Sequence, residues 1–194
     1  DARAVLRQYA PAYAALPLVE TVKPSDPAAR FARPILTGAP ERLAAAMVAE
    51  LQRAGFTAQA LPSSLAEVHA LAAELLAQAA SLPPRHALVR SAEPALAVTA
   101  PHPGHGGRST HLAALVASAL PSGVVFGAFA SDGVDGTSGT AGAVVTSSTF
   151  PNPAAVAAAL AAFDTGSLHI RARSALPESP TGRNLADLHV LVRF

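Results

Sequence analysis

The chain has 194 residues, 51% of them apolar, and 14 basic against 13 acidic side chains give a net charge of +1. That balance leaves no electrostatic footprint for nucleic acid or an acidic membrane, and no apolar run approaches the ~20 residues of a membrane span. Cys is absent, which excludes disulfides, thiolate zinc sites and cysteine nucleophiles.

The first element is a helical arm over 3–16, interrupted at Pro11, with apolar residues at 4–18 suited to docking. Pro17, Pro24 and Pro27 make 17–33 an extended linker. Residues 1–33 therefore form an arm and linker, and 34–194 a layered α/β domain. The chain begins at Asp1 rather than Met, and no signal-peptide pattern follows it. A cytoplasmic location is expected.

"RPILTG" is expected to open the domain as a short strand. The next segment, 40–55, is a helix with Pro40 in its first turn, Leu43, Met47, Val48 and Leu51 on one face, and Gly55 as its stop. "FTAQAL" is a strand. A long helix follows, with Ser64 and Glu67 at capping-box spacing and Leu65, Val68, Leu71, Leu75 and Ala79 as its stripe. "HALVRS" and "ALAVTA" are strands, and a helix runs through Leu112, Leu115, Val116 and Leu120. "GVVFGAFA" is a buried strand, "AGAVV" follows the next loop, and a helix lies near 153–163. Leu188, Val190 and Val192 alternate with polar neighbours in the closing strand. Strands alternating with helices predict a mixed, largely parallel sheet flanked by helices.

Three stretches carry candidate chemistry. "HPGHGGRSTH" (102–111) admits three readings. His102, His105 and His111 could hold a metal, although their spacing matches no familiar zinc pattern and the loop has no acid. Gly104, Gly106 and Gly107 before a helix could let backbone amides meet an anion, with Arg108 adding a charged fork. A plain glycine-rich turn is the third. "SDGVDGTSGTAG" (131–142) follows a buried strand, where Asp132 and Asp135 could hold magnesium or a sugar-acid hydroxyl, or simply make Asx turns. "SPTGRNLADLH" (179–189) offers Thr181, Asn184, Asp187 and His189, the last as an acid–base group or as a loop-orienting histidine.

"SDGVDGTSGTAGAVV" and "SPTGRNLADLHVLV", in that order, closely resemble the C-terminal domain of the type-II glycerate kinases, the MOFRL family. Members of this family are often labelled hydroxypyruvate reductases. The family pattern reads approximately "GTDGTDGPTDAAGAVVD", then "TGPTGTNVNDLHVLLV". Upstream, "GGRSTHLAALVASAL" and "ILTGAPERLAAAMVAELQRAGF" fall where the family has similar units. The resemblance covers nearly the whole chain but about half of a family enzyme, whose large N-terminal domain has no counterpart here.

What the resemblance implies is ATP-dependent phosphorylation of D-glycerate with Mg2+, in a cleft completed by an N-terminal kinase domain or partner subunit. Arg108 would be the catalytic clamp. Gly106, Gly107, Asp132, Asp135, Thr181, Gly182, Asn184, Asp187 and His189 would bind substrate or phosphate, and a sugar acid would be the partner. Glu93 stands where the family has the Glu of a Gly-Gly-Glu-Thr turn. Departures accompany this: Ser109, Thr110 and His111 replace Asn-Gln-Glu, "RSAEPALAV" replaces a glycine-rich turn, and Gly139 replaces an acid. They imply the alternative of a catalytically inactive relative, serving as a binding or structural subunit of a larger complex.

Overall fold

A computed structural model describes residues 2–194, so Asp1, the first residue of the expected arm, lies outside the described residues. The chain divides into two compact units, Asp1–Thr37 and Gly38–Phe194.

The first unit holds helix α1 (Ala2–Tyr9) and two 3-10 turns, Pro11–Tyr13 and Pro27–Phe31. Helix α1 stops just before Pro11, whose ring cannot continue it. The turn at Pro27 is capped by Asp26, whose carboxylate accepts from the Ala28 amide at 2.8 Å. No residue of α1 is buried.

In the second unit, α2 (Pro40–Arg53) leads to β1 (Thr57–Ala60), α3 (Val68–Ser81), β2 (His86–Ala92) and α4 (Arg108–Ala117). Then come β3 (Val124–Ala130), β4 (Thr140–Val145), α5 (Pro153–Ala161), α6 (Thr165–Ala172), β5 (Ala175–Pro177) and β6 (Asp187–Arg193). The strands make one six-stranded sheet in the order β1-β2-β6-β3-β4-β5. The sheet is mixed, as expected, but only β1–β2 is parallel; every other neighbouring pair is antiparallel. Two of these pairs come from β6, which returns from the far end of the chain and inserts between β2 and β3, antiparallel to both; the other two are β3–β4, joined by the 131–139 loop, and β4–β5.

Strand alternation sorts β6 between two cores. Leu188, Val190 and Val192 pack with Ala58, Ala87 and Val89 under α2, through Leu43, Met47, Val48 and Leu51. Leu191 faces the other way, into the core of α3, α4, β3 and β4 around Phe126, Leu71 and Leu112. Successive side chains of a strand point to opposite faces, so Asp187 and His189 share the face of Leu191.

Two expected strands are absent. "RPILTG" forms no strand, and Ile35 is 83% exposed. "ALAVTA" makes one isolated bridge, Glu67 to Ala95, before Pro101 and Pro103 turn the chain. The long helix also starts later than its apolar stripe suggests. Glu67 itself is the N-cap, accepting from His69 and Ala70 amides, so α3 begins at Val68 and Leu65 stays exposed.

Candidate functional site

Helix α4 begins at Arg108 because Gly107 ends the glycine loop in extended backbone, φ −152°. The amides of its first turn point toward the 131–140 loop, and the carboxylate of Asp135 meets them there. Oδ1 accepts from the Ser109 amide at 2.9 Å and Oδ2 from the Thr110 amide at 2.8 Å. Asp135 is only 3% exposed. A side chain at Gly107 would collide with it, since a Cβ there would lie 2.3 Å from the Asp135 carboxyl. Asp135 therefore caps α4 across 26 residues of sequence. It occupies the amides that the sequence offered to a bound phosphate, so its two oxygens are committed to the fold rather than free for a metal or sugar acid.

The glycine loop is fixed further by two contacts. The Gly106 amide donates to Thr137 Oγ1 at 3.3 Å, and the Thr137 amide donates to Gly106 O at 2.9 Å. Of the histidines there, His105 is tied through its amide to Asp164 Oδ1 at 3.1 Å, and His111 lies buried on α4. Among the described residues no three His, Cys, Asp or Glu side chains converge as metal ligands.

The 179–186 loop is laced to the 131–133 loop. Thr181 Oγ1 donates to Ser131 O at 2.7 Å, the Thr181 amide to Asp132 O at 2.8 Å, and the Leu185 amide to Ser131 Oγ at 2.6 Å. Asn184 Oδ1 accepts from the Ala186 amide, an Asx turn that holds Ala186 at φ 66°. This turn delivers Asp187 to the first position of β6. Thr181 thus positions the loop, and Gly182, at φ 69°, supplies a left-handed corner.

The elements meet around a cavity of about 580 Å³. Gly106, Gly107, Arg108, Asp132, Asp135, Asn184 and Asp187 line it; Thr181, Gly182 and His189 do not. Arg108 is the cation of the cavity. Its Nη1 lies 3.2 Å from Glu93 Oε1 and its Nε 3.2 Å from Asp187 Oδ2. Asp187 Oδ2 accepts no aligned hydrogen bond, while Arg108 Nη2 donates to Asp187 Oδ1 at 3.5 Å. Burial raises the Asp187 pKa to about 7; the Arg108 charge opposes this, and the charges of Asp135, Glu93 and Asp132 reinforce it.

His189 lies deeper than the sequence suggests. It sits two residues inward on β6, opposite Arg90 on β2 and Ala128 on β3. It is 1% exposed and neither ring nitrogen has a partner. Burial lowers its pKa to about 3, aided by the charges of Arg90 and Arg108. It neither reaches the cavity nor holds a proton near neutral pH, which corrects its reading as a substrate-binding or acid–base residue. A group with a depressed base pKa gives stability that is present above its unfolded value of ~6.5 and lost as pH falls toward the folded value. His189→Met is therefore expected to lessen acid unfolding, by up to about 2–3 kcal/mol between pH 6.5 and 4.5. Denaturant titrations at the two pH values measure this, and an unchanged pH dependence contradicts it.

Sequence reasoning singled out Glu93 only by resemblance and passed over Leu96, Val98 and Phe163, which also line the cavity. Leu96 and Val98 lie in the expected strand that is a loop. Phe163 follows α5 at φ 53° and stacks on His111, with centroids 5.4 Å apart. Nothing in an alanine-rich helix end signals that placement.

The sequence pattern of the MOFRL family matches residues 86–187, a span that contains β2, α4, the aspartate loop and the turn before β6. Two solved structures share the fold. A glycerate kinase from Thermotoga maritima superposes with a TM-score of 0.73 at 24% identity, over 81% of this chain and 41% of that one. A protein from Pyrococcus horikoshii OT3 superposes with a TM-score of 0.72 at 21% identity, over 80% of this chain and 38% of that one. The chain thus spans about two fifths of the length of either. No curated protein sequence matches it.

Proposed function

Because the chain belongs to the MOFRL family, we propose that it is the C-terminal portion of a glycerate-kinase-like phosphotransferase. It would act in the cytoplasm, with the rest of the active site on an N-terminal kinase domain or a partner subunit. The Thermotoga neighbour, a glycerate kinase, extends well beyond the region this chain covers. No helix among the described residues is long and apolar enough to cross a membrane.

The observation that carries this reading is the placement of Arg108. A planar guanidinium offers paired donors to carboxylate or phosphoryl oxygens, and here it lines a cavity at the start of α4. Phosphoryl transfer depends mainly on positioning and charge neutralisation. Arg108 would grip the acid, and Asp187, with its pKa pushed up to about 7, would hold or release a proton at Oδ2 beside it. Asn184 and Asp132 would line the cavity with it, while Gly106, Gly107 and Thr181 keep the loops in register.

ATP would supply the phosphoryl group and Mg2+ its charge neutralisation, but the described residues do not build a cage for that ion. Asp135 is committed to helix amides, Asp187 faces Arg108, and Asp132 Oδ1 accepts from the Val134 amide at 3.1 Å. The same observation favours a second reading, a catalytically inactive relative retained as a binding or structural subunit.

The native protein, purified with whatever segment or subunit completes it, is expected to form phosphoglycerate from D-glycerate and Mg-ATP. Product analysis separates the two readings. Sustained turnover supports the enzyme, and a completed assembly that makes no phosphoglycerate supports the inactive relative.

A further inference from the structure

The cavity beside Arg108 is larger and more apolar than a three-carbon acid requires. Its volume of about 580 Å³ falls within the roughly 300–1,000 Å³ of pockets that enclose drug-sized ligands. Arg108, Asp132, Asn184 and Asp187 bring polar groups to its lining. The same lining carries carbon from Leu96, Val98, Pro103, Val134 and Phe163. Val98 is 55% exposed there.

His111 joins that lining. Its ring is buried and stacks on Phe163 at an interplanar angle of 20°. Burial, aided by His69, lowers its pKa to about 4, so the ring is uncharged at neutral pH. His111 therefore contributes a neutral aromatic ring to the lining of the cavity. Phe163 is held at φ 53°, a conformation a bulky residue keeps only where its surroundings fix it. The aromatic pair is thus a built surface. The cavity thus joins a cation that reads charge to carbon surface that removes apolar area from water.

We propose that the acceptor for this cavity is a hydroxy acid carrying an aryl or branched-alkyl substituent, its carboxylate on Arg108 and its substituent along Leu96, Val98 and the His111–Phe163 pair. The proposal deepens the phosphotransferase reading and rests on one part of it, that Arg108 grips the acid. It replaces glycerate by a bulkier hydroxy acid as the preferred ligand.

Calorimetric titration of the intact protein with D-3-phenyllactate and with D-glycerate tests it. Phenyllactate is expected to bind at least about tenfold more tightly, the discrimination that apolar pockets achieve for small increments of surface. Val98→Asp places a charge on the exposed part of the wall and is expected to lower that ratio severalfold. Phe163→Asn removes the aromatic partner while suiting the left-handed backbone, and is expected to do the same. Equal or tighter binding of glycerate, or a ratio that neither variant changes, overturns the apolar acceptor and leaves the role of Arg108 standing. Failure of both acids to bind, or binding of both that Arg108→Ala leaves untouched, overturns the role of Arg108 and this proposal with it.

Discussion

Arg108→Ala is expected to lower phosphoryl transfer in the completed assembly by at least about a thousandfold, the scale on which arginine clamps act in such reactions. Arg108→Lys keeps the charge but loses the planar fork, so an intermediate rate is expected. The same substitution has a stability signature. In the wild type, the Arg108 charge restrains the rise of the Asp187 pKa to about 7. A carboxyl whose folded pKa is raised keeps its proton longer in the native state. Stability therefore falls as pH rises from the unfolded value of ~3.9 through the folded one. Removing Arg108 raises the folded value further and extends that fall above pH 7. Turnover measured beside unfolding at pH 5.5 and 8.5 checks both effects. The rate should collapse, and the stability deficit should be larger at pH 8.5. Unchanged turnover would leave Arg108 as a structural ion-pair partner only.

Asp135→Ala is expected to destabilise the domain by about 2–4 kcal/mol. Two buried amides, on Ser109 and Thr110, lose a charged acceptor. A buried donor left without a partner costs roughly 1–3 kcal/mol, and loss of an N-cap alone costs about 1 kcal/mol. Asp135→Asn keeps one carbonyl acceptor, so a smaller loss is expected. Chemical unfolding of the three proteins measures the order: wild type, then Asn, then Ala. A midpoint for the Ala variant within experimental error of wild type would mean that Asp135 does not hold α4. The cavity should suffer with the helix, because Arg108 is the first residue of α4 and Asp135 lies against Gly107.

The contrast between these two residues marks what a sequence can carry. Both stand in motifs, and both are charged residues beside glycines. Arg108 reaches the cavity, whereas Asp135 turns inward onto backbone amides 26 and 25 residues away. Spacing along the chain cannot distinguish these outcomes, because the partner amides are set by how two loops meet. His189 shows the same limit. Its alternation with Val190 and Val192 was legible, and alternation places it on the face of Asp187. Its depth follows from β6 being covered by strands on both edges, a nonlocal pairing that local pattern does not encode.

Local chemistry was legible where it acts locally. Pro40 begins α2 and Gly55, at φ 84°, follows its end, as the first-turn proline and terminal glycine require. The apolar stripe of α3 was legible, but its start depended on which of Ser64 and Glu67 capped the amides. The strand expected at 33–38 did not form, because a short apolar run such as RPILTG carries no information about a pairing partner and a lone strand is not stable by itself. The polar residues of the cavity's lining were legible through motif resemblance. Leu96, Val98 and Phe163 come from a loop and a helix end that carry no motif.

The most direct measurement of the central claim, that Arg108 is the group that reads an acid in this cavity, is side-chain nitrogen resonance spectroscopy during titration. The Nε–H signal of Arg108 is expected to shift with added D-glycerate or D-3-phenyllactate and to saturate with binding. The signal of Arg90, buried and bonded to Glu74 at 2.9 Å, is expected to stay in place. Saturable binding that leaves the Arg108 signal unmoved would contradict the account.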